Sequence, residues 1–308
     1  MTGRVTCIGG AVIDMIYDVD TLPGTDGKYV VHSVSESGGG MAANAAVMAC
    51  RLGGRATWCG RVGDDDKGRR ILDGLRHEGV RVDACKIFPG VASSHSVVVN
   101  DAAGDRAILL YQMEGVSEDP SWLSLDRLLE ADVVLADNRW LPGAQALLQA
   151  ARDRGLPRVL DIDSAGQGDA MAFVALGSHA IYSDPGLSAL FDGPDSETRL
   201  RQAVEHSPFV AVTKGAGGVD WMTGDKVLRH VPAFPITVQE SVGAGDVFHG
   251  AFALCLAEGT DEEAALRFAS AAAALKCART GGRASFPRRS EVEALCRSTD
   301  PQEGDDHG

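Results

Sequence analysis

Short apolar runs alternate with longer amphipathic stretches along most of the chain, and this alternation predicts a strand-then-helix order of elements. The apolar runs typical of strands are residues 5–9, 57–62, 133–136, 158–161, 180–182 and 209–213. The stretches typical of helices are residues 42–52, 68–78 and 262–278. This order predicts an α/β fold with a central, mostly parallel sheet flanked by helices, in which ligands bind beyond the carboxyl ends of the strands.

Two segments break this order, because residues 18–37 and 93–112 are rich in β-forming residues. In the second segment, apolar runs flank a polar turn at residues 100–104, which is typical of a hairpin. We expect lid segments at about 15–37 and 93–113 to form a small β-sheet that serves as a lid, a dimer surface or both. They belong to one domain over residues 1–290, and residues 291–308 form a C-terminal end with an acidic tail that we expect to be disordered.

Composition narrows the class of protein. The 308 residues are 44% hydrophobic and 23% charged, which is typical of a globular protein with a sizeable core. A net charge of −14 argues against a nucleic-acid partner, which needs a basic face. Seven scattered cysteines without a C-x-x-C pair indicate reduced thiols in a cytoplasmic protein. The N-terminus lacks the layout of a signal peptide and no apolar run has membrane-spanning length, so we expect no membrane association.

A glycine-rich turn at Gly243, Ala244 and Gly245 precedes Asp246 and opens an apolar helix. Backbone amides at a helix start are unsatisfied, and the helix dipole adds positive charge, so such a turn can hold a phosphate. Asp246 could then accept a proton from an attacking hydroxyl, as phosphoryl transfer requires. The turn taken by itself is equally compatible with an ordinary helix start and a favourable first-turn acid. The G-x-x-x-x-G-K-[ST] pattern of Walker-type ATPases does not occur.

A second glycine cluster, Gly38 to Gly40, opens another predicted helix that carries Asn44. Three glycines let a backbone approach a ligand closely, and Asn44 offers both a donor and an acceptor to hydroxyl groups. The alternative is a flexible loop followed by an exposed helical asparagine.

The two clusters, in this order, resemble those of the ribokinase-like (PfkB) carbohydrate kinases, and the resemblance extends from Val5 to Pro287. Residues 60–68 are similar to the family's G-x-V-G-x-D-x-x-G stretch, and residues 212–218 to its nucleotide-binding loop. The resemblance implies a ribokinase-like fold, ATP as cosubstrate, Mg²⁺, and a homodimer formed through the lid.

The resemblance also implies the roles of individual residues. Asp246 would be the catalytic base, and the anion hole would comprise Gly243, Ala244 and Gly245. The sugar would be held by Asp14, Gly39, Gly40 and Asn44, and the nucleotide would be lined by Thr213, Gly215 and Gly218. No residue is expected to be a dedicated metal ligand. Asp64, Asp65 and Asp66 precede a predicted helix, so we interpret them as capping residues, and we expect a packing role for His249.

Two departures from the family pattern concern cations. Glu240, Ser241 and Val242 replace the usual Asp-Thr-Thr, whose acid often helps to bind a monovalent cation, so K⁺ activation is left open. Residues 183–186 replace the N-x-x-E element that organises Mg²⁺, and Asp184 is the candidate for a partial substitute. Mg²⁺ could instead be held mostly by ATP phosphates and water. These changes also motivate a different hypothesis, a catalytically silent sugar or nucleotide sensor.

Several further phrases resemble the bacterial 6-deoxy-6-sulfofructose kinases, a subgroup that phosphorylates a primary hydroxyl of an anionic sugar. They are residues 27–30, 132–137, 139–140, 247–250, 274–277 and 281–284. A sulfonate needs cations, and Lys28 and Arg139 are the candidates. The alternatives are a solubility role for Lys28 and a structural ion pair for Arg139. Leu110 stands where that subgroup is expected to carry a polar lid residue, so a neutral ketose, a phosphofructose or a sugar acid stays open.

Overall fold

A computed structural model of the chain describes residues 2–103, 105–163 and 169–299. The predicted acidic tail and Gly104 of the predicted hairpin turn therefore lie outside the described residues. The strands are β1 Arg4–Ile8, β2 Val12–Asp18, β3 Ser33–Gly39, β4 Arg55–Cys59, β5 Arg61–Gly63, β6 Lys86–Phe88, β7 His95–Asn100, β8 Arg106–Tyr111, β9 Val133–Asp137, β10 Arg158–Ile162, β11 His179–Ser183, β12 Phe209–Thr213, β13 Val219–Thr223 and β14 Arg229–Val231. The helices are α1 Met41–Arg51, α2 Asp66–His77, α3 Leu125–Leu128, α4 Leu141–Asp153, α5 Ala170–Val174, α6 Asp184–Leu190, α7 Ser196–Ala203, α8 Ala244–Ala257, α9 Glu262–Cys277 and α10 Arg289–Ser298.

The main sheet has eight strands in the order β14-β13-β12-β11-β10-β9-β1-β4. The six strands from β12 to β4 are parallel, whereas β13 and β14 continue the sheet in antiparallel fashion at one edge. β9 is buried at every position, as expected of a parallel strand covered on both faces. The predicted central, mostly parallel sheet is therefore confirmed.

The prediction of one strand over residues 57–62 is wrong, because β4 and β5 belong to different sheets. Gly60 separates the two strands, and a Cβ atom there would lie 2.2 Å from the Trp58 ring. β5 instead pairs with β6 in a separate two-stranded sheet.

Helices cover both faces of the main sheet, and each face has its own core. Neighbouring residues of β1 illustrate the division, because Cys7 contributes to one core and Ile8 to the other. α8 packs against α1, α9 and the central strands, and its residues 247–255 are buried. A helix with so little exposed surface is consistent with its apolar sequence on every side. The N-terminal half of α8 lies against the carboxyl-terminal half of β10 and the middle of β11, since His249 contacts Asp161 and Ile181 there.

The small accessory sheet predicted as a lid is also present, with strand order β3-β2-β7-β8. It differs from the expectation in its first segment, where the strand begins at Val12 and residues 19–32 form a connection without strands. Asp14, one of the residues expected to hold the sugar, lies within β2 and so belongs to this sheet. We call these four strands the lid sheet.

Local predictions about helix starts, cysteines and membrane spans can also be compared with the described residues. The Asp65 carboxylate accepts the Gly68 amide at 2.8 Å at the start of α2, which confirms its capping role. All seven cysteines lie in the described ranges and none forms a disulfide. Over those same ranges, no helix combines the length and apolar character that crossing a membrane requires.

Candidate active site

The turn at the start of α8 presents backbone amides to the carboxyl edge of the main sheet. Gly243 caps the helix with φ 76°, a left-handed conformation that favours glycine. The Ala244 amide donates to the Ser241 carbonyl at 3.2 Å, so it is already engaged. Gly245 and Asp246 occupy the following positions of the first turn, where amides have no partner within the helix. These two amides are therefore the ones that this conformation offers to an anion.

Asp246 carries the only carboxylate in this turn, and Asn44 orients it. The Asn44 Nδ2 donates to Asp246 Oδ2 at 2.6 Å, which brings together the two glycine-opened helices that the sequence singled out. Burial, followed by the negative charge of Asp161, raises the pKa of Asp246 to about 7, and the Asn44 hydrogen bond opposes that rise. A carboxyl group that titrates near neutrality is suited to accept a proton under physiological conditions.

The three glycines before α1 make room for three different groups. A Cβ at Gly38 would lie 2.1 Å from Arg283 Nη1, and one at Gly39 would lie 2.3 Å from Asp14 Oδ2. Gly40 has φ 96°, and a Cβ there would lie 2.5 Å from a backbone carbonyl. The cluster therefore lets Arg283, Asp14 and the backbone near Gly10 approach one another closely. Such close packing is not expected of a flexible loop.

Asp14 is held from within the lid sheet, because the Ser96 hydroxyl of β7 donates to Asp14 Oδ1 at 2.6 Å. Burial raises the pKa of Asp14, and the Ser96 hydrogen bond and the Arg283 charge oppose that rise. The predicted sugar-binding acid thus lies close to Gly39 and Arg283.

Arg283 is the main residue of this site to which the sequence assigned no role, since it appeared only within the phrase at residues 281–284. Its side chain is buried, with Nε donating to Asn44 Oδ1 at 2.7 Å and Nη2 to the Gly39 carbonyl at 3.1 Å. Burial lowers the pKa of Arg283 to about 10, so it stays charged at neutral pH. The available signal was an arginine directly after two glycines, Gly281 and Gly282, in an acidic chain.

Asp137 at the end of β9 is a second residue whose role was not predicted. Its fully buried carboxylate accepts the amides of Gly10, Ala42 and Arg139 at 2.9, 3.0 and 2.9 Å. Burial raises the pKa of Asp137, and the three amides oppose the rise. The carboxylate ties the end of β1 to the start of α1, so it fixes the position from which Asn44 projects.

Arg139 and Lys28, the two basic side chains predicted to bind an anionic sugar, differ in their surroundings. The Arg139 Nη2 lies 3.3 Å from Asp163 Oδ2, and Asp163 Oδ1 accepts the Ser183 hydroxyl at 3.2 Å. Arg139 is therefore an ion-paired residue at the carboxyl edge of the main sheet. Lys28 is exposed in the connection between β2 and β3, and no contact with the described residues brings it to the site.

His249 and Asp161 lie beneath the α8 turn. The buried His249 Nδ1 is 2.7 Å from the Gly245 carbonyl and 3.4 Å from Asp161 Oδ2, which agrees with the expected packing role. Burial and the charges of two neighbouring acids raise the pKa of Asp161 well above its usual range. The buried Asp161 therefore acts on Asp246 through its charge.

The loop proposed to bind the nucleotide follows β12. Gly215 and Gly218 have φ 55° and 74°, and a Cβ at Gly218 would lie 2.3 Å from a backbone carbonyl. The Thr213 hydroxyl donates to the Tyr182 carbonyl at 3.3 Å. Because Thr213 pairs with Ser183 in parallel strands, the loop emerges at the same edge of the main sheet as Asp163. Asp184, the proposed substitute in the altered cation element, is exposed at the start of α6.

These features define a class of protein: the site combines a carboxylate with a pKa near neutrality, the free amides of a helix start and nearby polar side chains, as a group-transfer enzyme requires. The sequence profile described as pfkB family carbohydrate kinase matches residues 2–289. The chain belongs to this family, whose members are phosphotransferases acting on sugar hydroxyls.

Individual relatives support the same assignment. A ribokinase of Bacillus subtilis is 32% identical, over 95% of this chain and 99% of the relative. A protein of Agrobacterium tumefaciens provisionally called a ribokinase has a solved structure with a TM-score of 0.90 at 33% identity, covering 97% of this chain and 98% of the other. An Arabidopsis thaliana ribokinase solved with ribose and ATP has the same fold, with a TM-score of 0.84 at 24% identity, covering 96% and 99%. The ribokinase-like fold is thereby confirmed.

Proposed function

We propose that this carbohydrate kinase transfers the γ-phosphoryl group of ATP to a primary hydroxyl of a sugar, with Asp246 as the general base. The observation that supports this most is the contact between Asn44 and Asp246, which orients a carboxylate of pKa about 7 beside the free amides of a helix start. The Arabidopsis relative solved with ribose and ATP supports the two substrates.

In this proposal, Asp14, Asn44 and Arg283 bind the sugar hydroxyls and direct one primary hydroxyl toward Asp246. The proton of the sugar hydroxyl passes to the Asp246 carboxylate as the hydroxyl oxygen attacks the γ-phosphorus. The bond between the γ-phosphorus and the leaving ADP breaks. The amides of Gly245 and Asp246 stabilise the charge that develops on the transferring group.

Mg²⁺ would neutralise the phosphates of ATP. The described residues hold no group of three or more potential metal-ligating side chains. Asp163 is occupied by Arg139 and Ser183, which leaves the exposed Asp184 as a possible contact through water. With so few protein oxygens free to bind it, Mg²⁺ would be held mainly by phosphates and water, as it commonly is.

For the sugar, we propose 6-deoxy-6-sulfofructose as the substrate, phosphorylated at its 1-hydroxyl. The supporting features are the sequence phrases shared with that subgroup and the position of Arg139 at the carboxyl edge, where its guanidinium could exchange Asp163 for a sulfonate. Lys28 would contribute if the β2–β3 connection moved toward the cleft.

One observation favours a neutral sugar instead. Leu110 pairs with Ser96 in the lid sheet, and Ser96 pairs with Asp14, so the three side chains share a face. An apolar lid residue on the same face as the sugar-binding acid favours a sugar without an anionic tail, such as ribose or fructose.

A coupled assay of ADP release with a sugar panel tests the proposal. The panel comprises 6-deoxy-6-sulfofructose, fructose, fructose 6-phosphate, ribose and a keto-deoxy sugar acid. We expect the highest kcat/KM for sulfofructose. A higher value for ribose or fructose would favour the neutral-sugar alternative. Binding of ATP and sugars without turnover across the panel would contradict the kinase proposal and favour a silent sensor.

We propose further that two copies associate through their lid sheets. β8 is the edge strand of the lid sheet and exposes apolar side chains on both faces, namely Ile108, Leu109, Leu110 and Tyr111. An edge strand of this kind is a site for association. Light scattering is expected to give a dimer that Leu109→Lys weakens. A monomer at micromolar concentration would contradict this proposal.

A further inference from the structure

Lys276 near the end of α9 is fully buried, although its side chain carries a charge. Its ammonium group donates to Glu240 Oε1 at 2.7 Å and to the Glu240 carbonyl at 3.2 Å. Burying an ammonium group costs free energy unless opposite charge and hydrogen bonds compensate it. Both bonds go to a single residue, so Glu240 and Lys276 form one compact charged unit.

The oxygens of Glu240 all have donors in this arrangement. The remaining one, Oε2, accepts the Gly281 amide at 3.0 Å. The amides of Gln239 and Glu240 both donate to the Cys277 carbonyl, at 2.7 and 3.2 Å. Residues 239–240 are therefore held at the end of α9 both through their amides, by Cys277, and through the Glu240 oxygens, by Lys276.

The pair lies where two loops of the active site are joined. Glu240 is followed by Ser241, whose carbonyl accepts the Ala244 amide in the turn that offers amides to an anion. On the other side, Gly281 precedes Arg283, which holds Asn44. A single ammonium group thus stabilises both the loop before α8 and the loop that carries Arg283.

The same oxygens have the chemistry of a monovalent cation site. Carboxylate and carbonyl oxygens are the ligands that hard cations take in proteins. Here the Glu240 carboxylate and carbonyl point at Lys276, whose ammonium carries the same charge as K⁺ and is of similar size. A K⁺ ion at Glu240 would have to displace a fully buried ammonium, so the residues present do not fit a separate ion.

We propose that Lys276 acts as a built-in monovalent cation, so that this kinase works without K⁺. Lys276 is a positioning residue, because it acts through Glu240 on the loops and does not touch a substrate. The inference rests on the proposed function only because one of its two measurements, turnover, requires kinase activity. The alternative is an ion pair that contributes to stability and has no relation to cation binding.

Two measurements on the unaltered protein test the inference first. Turnover and the amide hydrogen exchange of residues 239–245 are compared in KCl and in choline chloride at equal ionic strength. We expect the turnover in KCl to equal that in choline chloride within experimental error, and likewise the exchange rates. An increase of severalfold in turnover, or a marked gain of protection, on adding K⁺ would overturn the inference without any substitution.

Two substitutions at the same position then separate a cation role from a structural one. Lys276→Ala removes the charge and opens space, whereas Lys276→Met removes the charge but fills the space. We expect both to lower turnover by about tenfold or more, as loss of a supporting contact to a binding site does, and to speed exchange of residues 239–245. K⁺ or NH₄⁺, but not choline, is expected to restore Lys276→Ala and to leave Lys276→Met unchanged. Lys226→Met, at an exposed ion pair with Glu205, is the control.

If neither K⁺ nor NH₄⁺ restores the turnover of Lys276→Ala, so that this variant responds to the ions no more than Lys276→Met does, Lys276 forms a structural ion pair and the inference is wrong. If the substituted proteins do not fold, the comparison of salts on the unaltered protein still tests whether the kinase works without K⁺, and a gain on adding K⁺ would overturn the inference. If no sugar is phosphorylated, the proposed function fails separately, because the exchange of residues 239–245 in the two salts is measured without turnover.

Discussion

Asn44 and Asp246 are 202 residues apart in the chain, yet the amide nitrogen of one donates to the carboxylate of the other at 2.6 Å. Arg283 determines which way the Asn44 amide points, because a guanidinium can only donate and therefore requires the amide oxygen. The amide nitrogen is then directed to Asp246. Three residues from three parts of the chain thus form one chain of hydrogen bonds that ends on the proposed base.

The pH dependence of kcat/KM reports the ionisation of this base in the free enzyme. The folded-state pKa of Asp246 is raised to about 7, and only the ionised form accepts a proton. We therefore expect kcat/KM to rise with pH through about 7 and to level off above it. Asn44→Ala removes a hydrogen bond that lowers this pKa, so the midpoint is expected to move to higher pH. An unshifted midpoint would contradict the contact, and Asn100→Ala in the lid sheet is the control.

Substitution of Arg283 is expected to affect sugar binding and the base together. Arg283→Met leaves Asn44 Oδ1 and the Gly39 carbonyl without their donor and removes a positive charge near Asp246. The KM for the sugar should rise by about tenfold or more, as loss of a charged hydrogen bond does, and the midpoint of the pH profile should move upward. Arg283→Lys should recover the charge but not both bonds. Arg279→Met, at an ion pair with Glu291, is the matched control. A normal KM and an unshifted midpoint in Arg283→Met would exclude this role.

Asp137 is expected to matter for stability more than for chemistry. Asp137→Ala leaves one buried and two partly buried amides without an acceptor, each of which costs free energy. We expect the free energy of unfolding to fall by about 3 kcal/mol, measured by urea denaturation. Asp153→Ala, on the exposed surface of α4, should change it by less than about 0.5 kcal/mol. Equal effects of the two substitutions would mean that Asp137 is not the support described above.

Arg139→Ala distinguishes the proposed substrates. If Arg139 binds a sulfonate, its loss should reduce kcat/KM for sulfofructose by at least about tenfold, as loss of a charge-assisted hydrogen bond does, while fructose is little affected. If it serves only as the partner of Asp163, both sugars should lose equally. The ratio of the two kcat/KM values is the deciding quantity.

The sequence predicted what depends on local pattern. The buried parallel strands, the cap of α2 at Asp65 and the two glycine-opened helices all follow from short stretches of residues. The contacts of Arg283 and Asp137 were not predictable in this way, because each joins segments that only the folded chain brings together. Asp14 was assigned to the site by resemblance, but its place inside the lid sheet follows from the parallel pairing of β2 with β7.

The predicted lid and the predicted strand at residues 57–62 show where pattern misleads. An apolar residue recurs at Val62, but β4 ends before Gly60, where a Cβ atom would lie 2.2 Å from the Trp58 ring. In the lid, residues 19–32 carry β-forming residues such as Tyr29 and Val30, yet they are largely exposed and form no strand. Burial and close approach, which a sequence pattern does not report, decide both cases.

The central claim is tested most directly by Asp246→Asn, which keeps the shape and the contact site of the side chain but cannot accept the proton. We expect turnover to fall by about 10² or more while the affinity for ATP, measured by calorimetry, stays within a few-fold of the original. Asp153→Asn on the surface of α4 serves as the control. Near-normal turnover of Asp246→Asn would contradict the account, since the transferring step would then not depend on this carboxylate.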